Sequence, residues 1–512
     1  MSHSQICIMI TILIYLGAML YIGIRCSKSS NTVDDFYLGG RKLGPVVTAM
    51  SAEASDMSSW LLMGLPGLAY LTGSADAFWT ATGLAIGTYI NWLFIAKRLR
   101  CFSQTLDAIT LPQFFFKRFR GKNRAISGFT AIMIVIFFVP YTASGFAACG
   151  KLFASLFGVS YHLALIISAI VIVSYCTLGG FLAASFTDLV QSIVMTMAII
   201  IILSFGIYTA GGFSEVVENA QSLSGYLSLT QTYASGNETT TYSSLTIFSK
   251  LAWGLGYFGM PHILLRFMAI QDAAKLQLSR RIAVVWVLIS LFIAISIGLV
   301  GNAMTAAGAI PVLEGADSET LIIQVASLLS QNGVIFAVIA GLILSGILAA
   351  TMSTADSQLL VASSSISQDL LQDTFHLRIP PHKSVWIARV TVILIAVVGV
   401  LMAFDPNSSV FEIVSFAWAG FGATFGPVIL LSLFWKKTTH QGVLLGMLTG
   451  AAGVFVWKYL IRPFGGIWDI YELLPVFCVS IIVNIIISHL TYTPDPDVEN
   501  DFCHYMETVK KV

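Results

Sequence analysis

Apolar runs of about twenty residues alternate with short polar connectors along almost the whole chain, at about 5–26, 46–72, 77–96, 126–150, 160–178, 184–209, 246–270, 282–307, 332–360, 385–404, 409–435, 441–461 and 470–491. Such runs suit a hydrocarbon core about 30 Å thick. The pattern therefore predicts an all-α polytopic membrane protein with about 13 transmembrane helices. Two runs are interrupted. The run 46–72 carries Asp56 among Ser51, Ser55, Ser58 and Ser59, and the run 246–270 carries Gly254, Gly256, Gly259 and Pro261. Polar or broken backbone is tolerated at membrane depth only where it lines a cavity. Paired interruptions at the head of two halves point to the binding site of a secondary transporter.

Runs two to six (46–209) and seven to eleven (246–435) are equal in number, and because five is odd they lie in opposite orientation, the topology of an inverted repeat. This divides the chain into an N-terminal extra helix and loop (1–45), a first repeat (46–209), a connecting loop (210–245) and a second repeat (246–435). Two peripheral helices (436–491) and a polar tail (492–512) follow. The loop is rich in Ser, Thr and Gly and reads as a surface connection. Its Asn237-Glu238-Thr239 fits a glycosylation sequon, though a chance match is the commoner origin of such a triplet. All but Lys151, Lys250, Lys458 and Arg462 of the 27 cations, Arg266 included, fall in segments on one side. The positive-inside rule then puts the N-terminus outside and the C-terminus in the cytoplasm of a cell-membrane protein.

Composition agrees. Charged residues make up 10% and apolar residues 56%, with a mean hydropathy of +0.84. Soluble domains carry about 25% charged residues. A net charge of +1 gives no footprint for nucleic acid, and membrane lipid is the surrounding partner. The seven cysteines have no metal-ligand spacing and read as small buried hydrophobes. The run GFAACGKL (145–152) nearly spells a phosphate-binding loop, but Leu152 stands where Ser or Thr is required. No zinc-protease motif or nucleophile elbow is present, so the chain is not read as an enzyme, and no organic cofactor is expected.

Six runs, FYLGGR (36–41), SDMSSWLLMGLPG (55–67), WGLGYFG (253–259), PHILLRFMA (261–269), LAATMSTADSQLL (348–360) and WAGFGATFGP (418–427), closely resemble the sodium/solute symporter family in one register. The first three point to its proline branch. The resemblance implies a leucine-transporter-like, five-plus-five inverted-repeat core with broken first helices. It also implies Na+ as coupling ion, held by the carbonyls of Ala54, Met57 and Ala350 and the hydroxyls of Ser353 and Thr354. Hard, neutral oxygens suit a small hard cation. Positions 350, 353, 354 and 357 share one helical face, although small-residue stripes also serve close helix packing.

Asp56 is an intramembrane carboxylate and so a functional candidate by default; the resemblance implies that it is required for sodium use, and we expect it to hold the unwound segment in shape. Asp188 matches a position that serves a second sodium in some relatives, with Ser353 and Ser357 as expected partners. Glu53 and Asp356 depart from the family pattern, and each is able to hold a cation, a proton or a nearby donor. The resemblance places Ser58, Ser59, Tyr141, Trp253, Tyr257 and Pro261 around the substrate. Proline, a zwitterion with a small apolar ring, needs backbone donors, acceptors for its ammonium and a flat apolar wall. Trp253 and Tyr257, spaced i, i+4, are expected to share a face. The expectation is thus sodium-coupled import of L-proline by alternating access. Another small solute such as pantothenate or a different amino acid, or proton coupling, is the alternative, and the oligomeric state stays open.

Overall fold

The computed structural model describes residues 2–27, 33–120, 124–234, 238–377 and 380–511. Asn237 of the sequon, and Lys28, Lys122 and Arg378 among the cations, lie outside them. Eight helices among the described residues are long and apolar enough to cross a membrane, and two shorter apolar helices, Tyr161–Ser174 and Trp386–Met402, accompany them. The remaining expected spans, 46–72, 77–96 and 246–270, are broken or composite helices. Large apolar side chains such as Ile14, Phe292 and Leu394 are exposed along these helices, as a hydrocarbon surround allows.

Local signals explain the boundaries. Ser243, Ser409 and Thr439 each accept a backbone N–H three residues on, capping the helices that follow. The long helix Val334–Ser364 packs against Tyr161–Thr209, Ala125–Phe157 and the N-terminal His3–Ser27. The expected break between runs 160–178 and 184–209 is a single residue, Gly180, at φ 68° inside an otherwise continuous helix.

Both first helices of the two halves are broken. The first runs Pro45–Ser59 and continues through a wide turn, Trp60–Gly64, into Leu65–Thr72; Ser58 leaves helical geometry at φ 49°, ψ −169°. The second runs Ser244–Leu251, winds tightly over Ala252–Gly259, becomes extended at Met260 and restarts at Pro261–Ala269. Pro261 lacks an N–H and disfavours the α conformation in the residue before it, which accounts for Met260. Gly254 and Gly256 permit close approach: a Cβ at Gly254 would lie 2.2 Å from the Gly83 carbonyl oxygen, and one at Gly256 would lie 1.9 Å from Trp418 Nε1.

Two connections carry more structure than expected. The 210–245 loop holds a helix, Phe213–Ser222, and an antiparallel hairpin pairing Gln231–Ala234 with Glu238–Thr241. Buried Tyr226 ties it to the first broken helix by donating to the carbonyls of Ala69 and Tyr70. The polar tail forms an amphipathic helix, Pro496–Lys511. It docks on Ala96–Thr105 and Leu111–Phe119, with Tyr505 stacked on Phe102 at 4.1 Å between ring centroids.

Candidate functional site

A helix broken at membrane depth frees carbonyls that must find other donors. In the first break, the Ala54 carbonyl receives Ser353 Oγ at 2.8 Å, and the Asp56 carbonyl receives the Tyr141 hydroxyl at 3.1 Å. Ser353 Oγ also lies 3.1 Å from the Ala350 carbonyl oxygen, to which Thr354 Oγ1 donates at 3.0 Å. Four of the five expected sodium ligands are thus linked through one hydroxyl, all buried, between the first broken helix and Val334–Ser364. The carbonyl of Met57, the fifth, accepts the Trp60 N–H, and Met57 lines a neighbouring cavity. This set of neutral oxygens fits sodium as a transported ion: the hydroxyls that now donate have lone pairs to offer a cation.

The second break is held by different groups. Trp418 Nε1 donates to the Trp253 carbonyl at 2.7 Å, and Asn91 Nδ2 to the Tyr257 carbonyl at 3.2 Å. Tight winding replaces the α-helical turn here, and the Trp253 ring still lies against Trp418, the partner of Tyr257, with centroids 6.4 Å apart. Trp253 packs on Tyr471, Phe411 and Trp60, with centroids 5.2–5.6 Å away. Tyr257 meets Trp418 edge-on at 5.1 Å and sends its hydroxyl to Asp56 Oδ2 at 2.5 Å. That bond joins the two breaks directly. Pro261 begins the restarted helix and lines none of the small cavities below.

The other buried acids sit apart from the sodium ligands. Glu53 Oε1 accepts from Trp92 Nε1 at 2.8 Å, and Oε2 has no hydrogen-bond partner among the described residues. Asp188 Oδ2 accepts from Ser51 Oγ at 2.6 Å and from Arg266 Nη2 at 3.3 Å. Its expected partners bond elsewhere: Ser353 to Ala54, and Ser357 to the Ser353 carbonyl and to Asp356 Oδ1. Arg266, expected at the membrane edge, is 1% exposed, and it also reaches Ser51, Ser357 and the His262 carbonyl. Its charge inside the apolar run PHILLRFMA was a visible signal of an interior role. Asp188 Oδ1 and Asp356 Oδ2 have no hydrogen-bond partner among the described residues.

At the end bearing the 210–245 loop, a cavity of about 620 Å³ narrows to a floor of Trp253 and Phe411. Below lie two cavities of about 10 Å³ each, one between Asp56, Tyr141, Trp60 and Trp418, the other among Ser58, Ser59, Tyr141, Thr354 and Gln358. Such volumes suit one water apiece, and Trp253 lines both the large cavity and the first small one. Trp60, Trp418 and Gln358 line these spaces although only their surrounding runs drew attention in the sequence. At the same end, Glu319 accepts from the Val410 and Phe411 N–H groups and from Lys151 Nζ at 2.8 Å, pinning the start of Val410–Phe434.

A membrane-buried shell of hydroxyls and carbonyls between two helices, next to an aromatic-floored vestibule, is the interior of a secondary transporter. Residues 36–450 match the Sodium:solute symporter family, and the chain belongs to that family, one of symporters and not enzymes. It is 42% identical over 503 residues to the sodium/proline symporter of Haemophilus influenzae (strain Rd), with 96% of each chain covered. It is 40% identical over 495 residues to the high-affinity proline transporter PutP of Bacillus subtilis (strain 168), covering 96% of this chain and all of the relative. Its fold is shared with a Na+-coupled sialic acid symporter solved in a substrate-bound, outward-open state (TM-score 0.77, 17% identity, 95% and 98% coverage). The transporter Mhp1 is a more distant likeness (TM-score 0.56, 14% identity, 93% and 99% coverage).

Proposed function

We propose that this protein imports L-proline across the cell membrane in symport with sodium, by alternating access between the repeats 46–209 and 246–435. The loop end faces outward, with the N-terminus outside and the C-terminus in the cytoplasm. Proline transport by relatives aligned over nearly the whole chain supports the substrate. The observation that carries the coupling is the hydroxyl-held first break. Sodium takes the carbonyls of Ala54, Met57 and Ala350 with the hydroxyls of Ser353 and Thr354, fastening the broken helix to Val334–Ser364. Asp56 shapes the break through Tyr257 and Tyr141 and needs no place in the ion shell.

In this reading the proline carboxylate meets backbone donors near Ser58 and Ser59, and Tyr141, Trp253, Tyr257 and Pro261 enclose its ring. Sodium shifts the population toward the substrate-ready form only through its higher affinity for that form. By linkage, proline tightens sodium by the same factor that sodium tightens proline. The test is uptake of radiolabelled proline into proteoliposomes, with sodium replaced by choline at fixed pH and voltage and with other amino acids and pantothenate as competitors. Uptake should vanish without sodium and be blocked by unlabelled proline alone. Sodium-independent uptake overturns the coupling and turns attention to protons, for which the unpartnered oxygens of Glu53 and Asp356 are the candidates.

A further inference from the structure

Away from both breaks, a cavity of about 320 Å³ opens between the N-terminal helix His3–Ser27, the end of Ala125–Phe157, the start of Tyr161–Thr209 and the helix Val334–Ser364. Its rim includes Leu13, Leu163 and Ile167, each more than half exposed, whereas its floor of Cys149, Leu348 and Met352 is buried. No charged side chain among the described residues lines it. Ser168 lines it too, but its hydroxyl donates to the Ala164 carbonyl at 2.7 Å. So apolar a space offers too few polar partners for water, and apolar cavities of about 150 Å³ already take up a molecule the size of benzene. The rim is continuous with exposed Ile10, Ile166 and Ile170 on the same helices, a surface made for hydrocarbon. What enters sideways from that surround is a flexible hydrocarbon chain.

We infer that this groove seats one acyl chain of a membrane phospholipid from the leaflet nearest the N-terminus, held by shape and apolar contact with no part for the headgroup. The leaflet follows from the walls. They come from the first half of His3–Ser27 and the last turns of Ala125–Phe157, which Gln5 joins by donating to the Leu156 carbonyl at 2.9 Å. The floor has a second neighbour. On a helix of about 3.6 residues per turn, positions 348 and 352 lie on the side opposite 350, 353, 354 and 357. A seated chain therefore packs on the back of the helix whose front carries Ser353 and Thr354. The inference stands without the proposed substrate or ion.

The test uses the full chain in proteoliposomes containing a phosphatidylcholine or, separately, a phosphatidylglycerol with a diazirine on one acyl chain, and maps the label to residues by mass spectrometry after irradiation. Lipid that merely surrounds the protein reaches only the rim. A seated chain should label Cys149, Leu348 and Met352 as well, equally from both headgroups. Ala164→Phe puts a ring into the space from a buried position on its wall. It should lower labelling of the floor by about tenfold, the scale of forcing extra carbons into a filled space, with labelling of the rim unchanged. Label confined to Leu13, Leu163 and Ile167 in the parent overturns the inference, as does floor labelling by a diazirine fatty acid but by neither phospholipid. A second copy of the chain seated on the groove would shield rim and floor alike, which also overturns it. If Ala164→Phe fails to fold, the ratio of floor to rim label in the parent decides by itself.

Discussion

In the first broken helix the freed carbonyls of Ala54 and Asp56 accept from hydroxyls, Ser353 and Tyr141; in the second, those of Trp253 and Tyr257 accept from N–H groups, Trp418 Nε1 and Asn91 Nδ2. A hydroxyl is donor and acceptor at once and can rotate to face a cation, while an indole or amide nitrogen only donates. The first break is therefore able to exchange its internal bonds for an ion. The second cannot, and its carbonyls stay locked beneath an aromatic surface. The proposed function gives ion binding and ring recognition to different backbones, and the Tyr257–Asp56 bond joins those backbones.

Cutting that joint should have the largest effect. Asp56→Ala leaves the buried Tyr257 hydroxyl without its carboxyl acceptor, a loss of about 3 kcal/mol, so sodium-driven uptake should fall on the order of 100-fold. Uptake kinetics with immunoblotted protein levels check this, and a variant with parental sodium affinity would show the two breaks to act independently. Removing a hydroxyl from the first break comes next. Thr354→Ala and Ser353→Ala should each weaken apparent sodium affinity by about 2 kcal/mol while folded yield holds, as measured by sodium titration of uptake.

The aromatic side sharpens the contrast. Trp253→Ala should cost about 1.5 kcal/mol of proline affinity, the scale of one buried apolar side chain, and leave sodium affinity in the absence of proline unchanged. Tyr257→Phe keeps the ring but loses the bond to Asp56, so it should weaken both ligands by about 1 kcal/mol. Binding of each ligand to the same purified variants separates the cases, and equal losses in Trp253→Ala would make that ring structural. The smallest effect is expected at Ser58, whose φ of 49° with ψ of −169° is a glycine conformation. Ser58→Gly should raise stability in detergent by about 0.5 kcal/mol, less whatever the lost Ser58 Oγ acceptor for the Trp60 N–H contributes.

The two breaks also differ in how plainly the chain announces them. Pro261 and its preceding glycines mark the second to within a residue, because proline acts on its own neighbours whatever surrounds them. Nothing in four serines and an aspartate says that Ser58 is the residue to turn, since tertiary contacts impose a positive φ on it. The likeness to the symporter family drew Ala54, Ala350, Ser353 and Thr354 together, and the structure links them by hydrogen bonds. It gave no sign that Arg266 would reach Asp188, 78 residues away in sequence. Hydropathy registers a charge in an apolar run but not its partner. The hairpin at 231–241 escaped notice because its strands have four residues each, too short for alternation to stand out from a polar loop.

The terminal helix Pro496–Lys511 gives the fold a property in time. Arg118 lies buried beneath it, with its guanidinium 5.1 Å from the Phe502 ring centroid, and neighbouring Arg120 grips Asp497 and Asp501 at 2.8 Å. Arg120 and Asp501 are 381 residues apart. At about 5–20 residues per second, a ribosome needs roughly 20–80 s to cover that distance. Throughout that interval the helices around Arg118 stand inserted with an uncovered aromatic and cationic patch. The surface closes only when Phe502 and Tyr505 emerge, so this part of the fold is completed last in time although Arg118 is made early.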